Sequence, residues 1–214
     1  MIQVERFVLG PVMTNAYLLY KEAGGQGVVI DPGSSPNKLM ERIQELKLDV
    51  EAILLTHAHF DHIGGLEEVR KAFGAPVYIH QLEEDWLDSP EKNGSTLFPG
   101  METVSCRPAE KVLQGGETLH LLGETFDVTH TPGHSPGSVS YRWNTLLFSG
   151  DVLFAGGIGR TDLPGGDHQT LLRSIHDHLM ELPEETTVYS GHGPVTTIGQ
   201  EQESNPFITG ILGS

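Results

Sequence analysis

The sequence is poor in cysteine, in basic residues and in long apolar runs, and each shortage narrows what the protein can be. Cys106 is the only cysteine among 214 residues, so no disulfide can form within the chain and a thiolate-rich zinc site is excluded. Cys106 itself reads as a buried thiol. Thirteen Lys and Arg residues stand against 29 Asp and Glu residues, a formal charge of -16. That balance opposes polyanions such as nucleic acid or anionic lipid, and no basic cluster offsets it locally. No stretch approaches the roughly 20 apolar residues of a spanning helix, and Glu5 and Arg6 fall where a signal peptide would carry its apolar segment. The expectation is a soluble, cytoplasmic protein that binds neither nucleic acid nor membrane.

What is present is enough for one folded domain, expected over residues 1–214, with 37% hydrophobic residues to fill its core. The apolar runs at 27–30, 52–55 and 77–79 have the look of strands covered on both faces. Between them, Pro36 suits a first helical position, and Leu39, Met40, Ile43 and Leu46 recur at helical spacing. A second helix with Leu66, Val69 and Phe73 on one side should stop at Gly74. The second half alternates instead: Phe126 and Val128 within 125–130 predict a strand buried on one face, and 138–143 with 145–149 predict a hairpin turning at Asn144. A last helix should start at Asp167 as N-cap and bury Leu171, Leu172, Ile175 and Leu179, leaving His176 and His178 on its surface. Residues 89–109 lack periodicity and read as a rim loop. Strands covered by helices, followed by antiparallel hairpins, make the chain a layered α/β protein.

The chemistry is concentrated in "THAHFDHIGG", residues 56–65. In an extended segment residues two apart project to one side, so His57 and His59 can face one ion while Asp61 and His62 turn toward a second. Gly64 and Gly65 would let the backbone bend sharply there. Further candidates each follow a predicted strand: Asp31 in "DPG", His134 in "HTPGH", Asp151 after "LLFSG" and His192 in "GHG". Imidazoles and carboxylates suit zinc, iron or manganese, and seven ligands exceed one tetrahedral ion. Two ions sharing Asp151 fit better. His80, His120, His130 and His168 have no such setting and receive no metal role.

This pattern resembles the metallo-β-lactamase superfamily. Within it, "GPVMTNAYLL", "VIDPG", "HTPGHSPGSVSY", "SGDVLFAGGIGRTDLPGGD", "SGHGP" and "NPF" are similar to the short, single-domain glyoxalase II-like hydrolases, over nearly the whole chain from about Val8 to Phe207. The resemblance implies a four-layer αβ/βα sandwich with mixed sheets and a dinuclear site at one edge. It also implies that His57, His59 and His134 hold one metal, that Asp61, His62 and His192 hold the other, that Asp151 bridges, and that Asp31 stands behind the ligands.

By the same resemblance the reaction is hydrolysis of small thioesters of the S-lactoylglutathione type. A hydroxide bridging two divalent ions, most readily zinc but also iron or manganese, is the expected nucleophile, with Asp61 orienting it. Arg160 occupies the place of a basic substrate-contacting residue. The tyrosine that follows it in the longer enzymes is replaced at Asp162. Those enzymes also carry a C-terminal helical domain whose basic residues hold the glutathione carboxylates, and only 22 residues (193–214) follow His192 here. The acyl group, thiol carrier and oligomeric state are thus left open. The alternatives are a glutathione persulfide dioxygenase, with one iron held by two histidines and an aspartate, and a lactonase or other ester hydrolase of the superfamily. The β-lactamases generally place Cys or Ser where Asp151 stands.

Overall fold

The strands expected at 27–30, 52–55 and 77–79 lie side by side in a six-stranded sheet of the computed structural model, which describes residues 1–100 and 102–212. In chain order the sheet holds β1 (Gln3–Leu9), β2 (Thr14–Tyr20), β3 (Gln26–Ile30), β4 (Asp49–Leu54), β5 (Val77–His80) and β6 (Lys111–Leu113). β1, β2 and β3 are antiparallel, whereas β3 to β6 are parallel. The parallel strands therefore need helical crossovers, supplied by α1 (Asn37–Leu46) and by α2 (Phe60–Ile63) with α3 (Leu66–Phe73). Leu39 and Ile43 of α1 and Leu66 and Val69 of α3 are fully buried in one core with Val29, Ile53 and Val77. Each such side chain contributes about 1.5–3 kcal/mol relative to exposure. Pro36 sits one residue ahead of its expected place, at the N-cap of α1. α3 ends as expected, with Gly74 left-handed at φ 70.

The second sheet is built from β7 (Thr118–Leu121), β8 (Glu124–His130), β9 (Val139–Trp143), β10 (Leu146–Gly150), β13 (Thr187–Ser190) and β14 (Thr196–Thr197), in the order β14-β13-β10-β9-β8-β7. A two-stranded ribbon of β11 (Leu153–Phe154) and β12 (Gly157–Ile158) leaves β10. Phe126 and Val128 are the buried positions of β8, as the alternation predicted, and β9 and β10 form the expected hairpin with Leu146 opposite Trp143 and Asn144 at φ 54. α4 (His168–Ser174) starts from Asp167, whose carboxylate accepts the Thr170 amide at 2.7 Å, and continues as one wide turn to Leu179. His176 and His178 are exposed. α4 is not the last helix: α5 (Ile198–Ser204) and α6 (Pro206–Leu212) follow it.

The chain divides into two compact units, Met1–Leu113 with His120–Glu124, and Gln114–Leu119 with Thr125–Ser214. In the first, the segment expected as a rim loop is largely irregular and is pinned by the buried Asn93. Its amide donates to the carbonyls of Trp86 and Val104, and its own carbonyl accepts the Phe60 amide at 2.9 Å, so the loop is anchored to the start of α2.

Candidate metal centre

In the first unit β3 and β4 run parallel, so Asp31 and the segment from Thr56 leave the same sheet edge. Asp31 adopts φ +49 directly after β3, turning its buried carboxylate back across the strand ends. Its Oδ1 accepts the Thr56 amide at 2.8 Å, and its Oδ2 accepts the Thr56 hydroxyl at 2.6 Å and His62 Nδ1 at 2.9 Å. With Nδ1 of His62 donating to a carboxylate, Nε2 keeps its lone pair. The same logic reaches His57. Thr56 gives its one hydroxyl proton to Asp31, so Nδ1 of His57, 3.0 Å from that hydroxyl, is the donor and Nε2 again keeps its lone pair. One aspartate thereby sets two imidazoles.

His59 is extended, at ψ 146, and Phe60 opens α2, so the chain changes direction between His59 and Asp61. Ligand atoms of His57 and His59 lie within 4.8 Å of each other, as do those of Asp61 and His62. The Thr14 hydroxyl donates to Asp61 Oδ2 at 2.7 Å, and that oxygen stands 3.4 Å from His62 Nε2. Between the histidines, the Ala58 amide donates to the fully buried Glu83 at 2.6 Å. Gly64 and Gly65 differ from expectation, for neither is a sharp bend: their φ values are -62 and -105. They are glycine because of crowding, since a Cβ on Gly64 would meet Ser34 Oγ at 2.1 Å and one on Gly65 the Gly33 carbonyl at 2.3 Å.

In the second unit β8 and β10 are each antiparallel to β9, and β10 is parallel to β13. The segments bearing His134, Asp151 and His192 therefore leave that sheet at one edge too. The Gly191 amide donates to the Gly150 carbonyl at 2.8 Å, which sets the next residues, His192 and Asp151, side by side. Asp151 Oδ2 lies 3.4 Å from His192 Nε2 and 3.6 Å from His134 Nε2. His134 Nδ1 donates to the Arg160 carbonyl at 2.7 Å, so Nε2 keeps its lone pair and could bind a metal.

These spacings are longer than good N–H···O hydrogen bonds. Two ligand atoms at about 2.0–2.2 Å from one tetrahedral ion are about 3.3–3.6 Å apart, which matches the three Asp–His separations. The donors, neutral imidazole and carboxylate without thiolate, fit zinc, iron or manganese.

Arg160, by contrast, is turned to Asp162. Nε and a terminal nitrogen each donate to one carboxylate oxygen at 2.7 Å, with both side chains about half or more exposed. The guanidinium holds the Asp162 carboxyl down to about 2. Cys106 is buried, and burial pushes its thiol up to about 12, which makes it a poor nucleophile. A cavity of about 510 Å³ in the first unit runs beside Asp61 and Phe60, lined also by Leu9, Val12, Glu67 and Glu68.

Residues 9–192 match the metallo-beta-lactamase superfamily model. The chain belongs to the metallo-β-lactamase superfamily. Its superfamily relatives include a protein of Bacillus subtilis described as "Probable metallo-hydrolase YqgX", 49% identical over 96% of this chain and 97% of that one. "Hydroxyacylglutathione hydrolase GloC" of Haemophilus influenzae is 40% identical over 84% of this chain and 86% of its own length. Among solved structures, the BLEG-1 B3 metallo-beta-lactamase superposes at TM-score 0.93 with 50% identity, covering 97% of this chain and all of that one. TTHA1623 in a di-iron-bound form superposes at 0.82 with 42% identity, over 95% and 100% of the two chains. The metallo-β-lactamase fold with mixed sheets, expected from the sequence, is therefore the fold of the chain, and at family level the protein is a metallo-hydrolase. Thr14, Thr56 and Glu83 are the supporting residues that the sequence did not single out. The first two lie inside quoted motifs, whereas Glu83 sits beside Glu84 and Asp85 with nothing to distinguish it.

Proposed function

We propose that the protein hydrolyses small thioesters at a dinuclear centre assembled from both groups of donors. His57, His59 and His134 would hold one divalent ion, Asp61, His62 and His192 the other, with Asp151 shared. The observation that carries this reading is the repeated spacing of 3.4–3.6 Å between aspartate oxygen and imidazole nitrogen, found in each unit separately. Bound there, two divalent ions would acidify a shared water and polarise the acyl carbonyl.

The chain's own residues do the positioning. Asp61, held by the Thr14 hydroxyl, would orient the attacking water, so little reorganisation is needed in the transition state. Asp31 keeps His57 and His62 in the tautomer that presents Nε2. No Ser or Cys nucleophile is required. The cavity beside Asp61 would take the acyl or thiol portion of the substrate. The likeness to GloC supports a hydroxyacylglutathione-type thioester, and Arg160 would reach a carboxylate of the thiol carrier by exchanging Asp162 for it. The di-iron form of TTHA1623 favours iron beside zinc as the resident metal.

The likeness to BLEG-1 supports a second reading, β-lactam hydrolysis. The test is a hydrolysis panel on metal-counted protein: S-lactoylglutathione, a neutral thioester, a lactone and a β-lactam. A kcat/KM at least about 100-fold higher on the thioesters is expected. Turnover confined to the β-lactam would replace this reading with the second, and one iron per chain with oxygen consumption would replace both with a dioxygenase.

A further inference from the structure

The motif "NPF" and the helix before it carry no proposed ligand, yet they end on the segment that orients one of them, His134. Glu201, on α5, is fully buried. Its Oε2 accepts the Gly156 amide at 2.8 Å and the Asn205 side-chain amide at 2.7 Å, while its Oε1 accepts the Thr196 hydroxyl at 2.5 Å. The Asn205 amide also donates to the Gly157 carbonyl at 3.0 Å. Two neighbouring peptide groups of the 155–160 segment are thus gripped from one side, an amide by Glu201 and a carbonyl by Asn205.

The same segment leads directly to His134. Gly157 and Ile158 form β12, paired with β11, and the Gly159 amide donates to the Val152 carbonyl at 3.3 Å. A Cβ on Gly159 would stand 1.9 Å from the Asp151 carbonyl and 3.1 Å from His134 Nδ1. There is no room for this loop to sit deeper, and the clamp adds to the β11–β12 pairing in keeping it from drifting outward. One residue later, the Arg160 carbonyl accepts His134 Nδ1.

We propose that Glu201, with Asn205, is a positioning residue for His134: it fixes the 156–160 loop so that the Arg160 carbonyl selects the His134 tautomer that presents Nε2. This rests on the reading of His134 as a metal ligand. Three hydrogen bonds satisfy this buried carboxylate, and two of the three act on or beside the loop. The third, from Thr196, does not, which supplies an internal control.

The test compares Glu201→Ala, Glu201→Gln and Thr196→Val with the parent protein by three readouts: amide hydrogen exchange across residues 155–160, zinc affinity by competition with a chromophoric chelator, and the His134 tautomer by nitrogen-15 NMR of the metal-free protein. Glu201→Ala should raise exchange in that segment at least about 10-fold, weaken zinc binding by about 10–100-fold and mix the His134 tautomers. Glu201→Gln should restore most of all three, because its carbonyl can face Gly156 and Asn205 while its amide donates to the Thr196 hydroxyl. Thr196→Val, which removes a bond to the same carboxylate, should leave them near parent values. Parent-like exchange and tautomer in folded Glu201→Ala, or equal changes in Thr196→Val, would overturn the proposal. Should Glu201→Ala not fold, Asn205→Ala must raise exchange in the same segment, and its failure to do so would be equally decisive. His134→Ala separates the two levels of inference. Zinc affinity unchanged in that variant overturns the ligand assignment, whereas affinity lost there but kept in Glu201→Ala overturns the clamp alone.

Discussion

Replacing Asp31 with asparagine changes almost no volume and reverses one hydrogen-bonding role. The Asn carbonyl can still accept the Thr56 amide in place of Oδ1. Its amide group then occupies the place of Oδ2, where the Thr56 hydroxyl and His62 Nδ1 both donate at present. Donor faces donor at His62, and the relief available is a tautomer change that puts the proton on Nε2, the atom assigned to the metal. A hydrogen bond to a charged group contributes about 1.5–3 kcal/mol, so metal affinity should fall about 10–100-fold, the range seen when partners behind metal ligands are removed. With metal well above its dissociation constant, that loss removes about 1.4–2.7 kcal/mol of ligand-derived stability. In a chain of this size the melting temperature should drop by roughly 3–10 °C. The assay is chelator competition for zinc, with thermal melts of metal-free and metal-loaded protein. The metal-free melts should differ much less than the loaded ones. Affinity within twofold of the parent would refute the reasoning, as would an equal drop in both melts.

Other expectations follow from single contacts. Gly159→Ala forces a Cβ against the Asp151 carbonyl, which should cost at least about 1–3 kcal/mol and lower the melting temperature by roughly 2–12 °C; a melt within 1 °C of the parent, at about the noise of the method, would contradict the close approach. The folded Cys106 thiol ionises near 12 instead of its ordinary 9. The unfolded chain therefore loses this proton first, stability should fall as pH rises from about 9 toward 12, and Cys106→Ala should lessen that fall while leaving turnover unchanged. If Arg160 engages substrate only by releasing Asp162, Asp162→Asn should lower KM for a glutathione thioester. Arg160→Ala should raise it about 10-fold, and neither should alter KM for a neutral thioester; equal effects on both substrates would leave Arg160 a structural partner of Asp162.

Much of the site was legible because its residues are chemically rare and sit in order. His57, His59, Asp61 and His62 fall within six residues, and Asp31, His134, Asp151 and His192 each follow a segment that is a strand. Those segments were readable where burial is one-sided, as in β8, or where a helix of clear periodicity such as α1 follows. β2 was missed because its seven buried residues open with polar Thr14 and Asn15, so they read neither as an alternation nor as a continuous apolar run. α5 was missed because it is short and mostly polar, its buried glutamate serving hydrogen bonds instead of an apolar stripe. The reason for Gly64 and Gly65 was also hidden: it lies in contacts with Gly33 and Ser34, about thirty positions away in sequence, which a local reading of turns does not include. Glu83 and Glu201 escape for the same cause, since a carboxylate that ties backbone together looks in sequence like any other in a chain with 29 acidic residues.

The central claim is that two groups of donors make one dinuclear centre, and the direct measurement is metal content per chain in protein purified without chelator, for the parent and two variants. The parent should hold close to two transition-metal ions. Asp151→Ala, which removes the proposed shared ligand, should fall well below one, and His192→Ala should keep about one. A parent with a single ion, or equal losses in both variants, would contradict it.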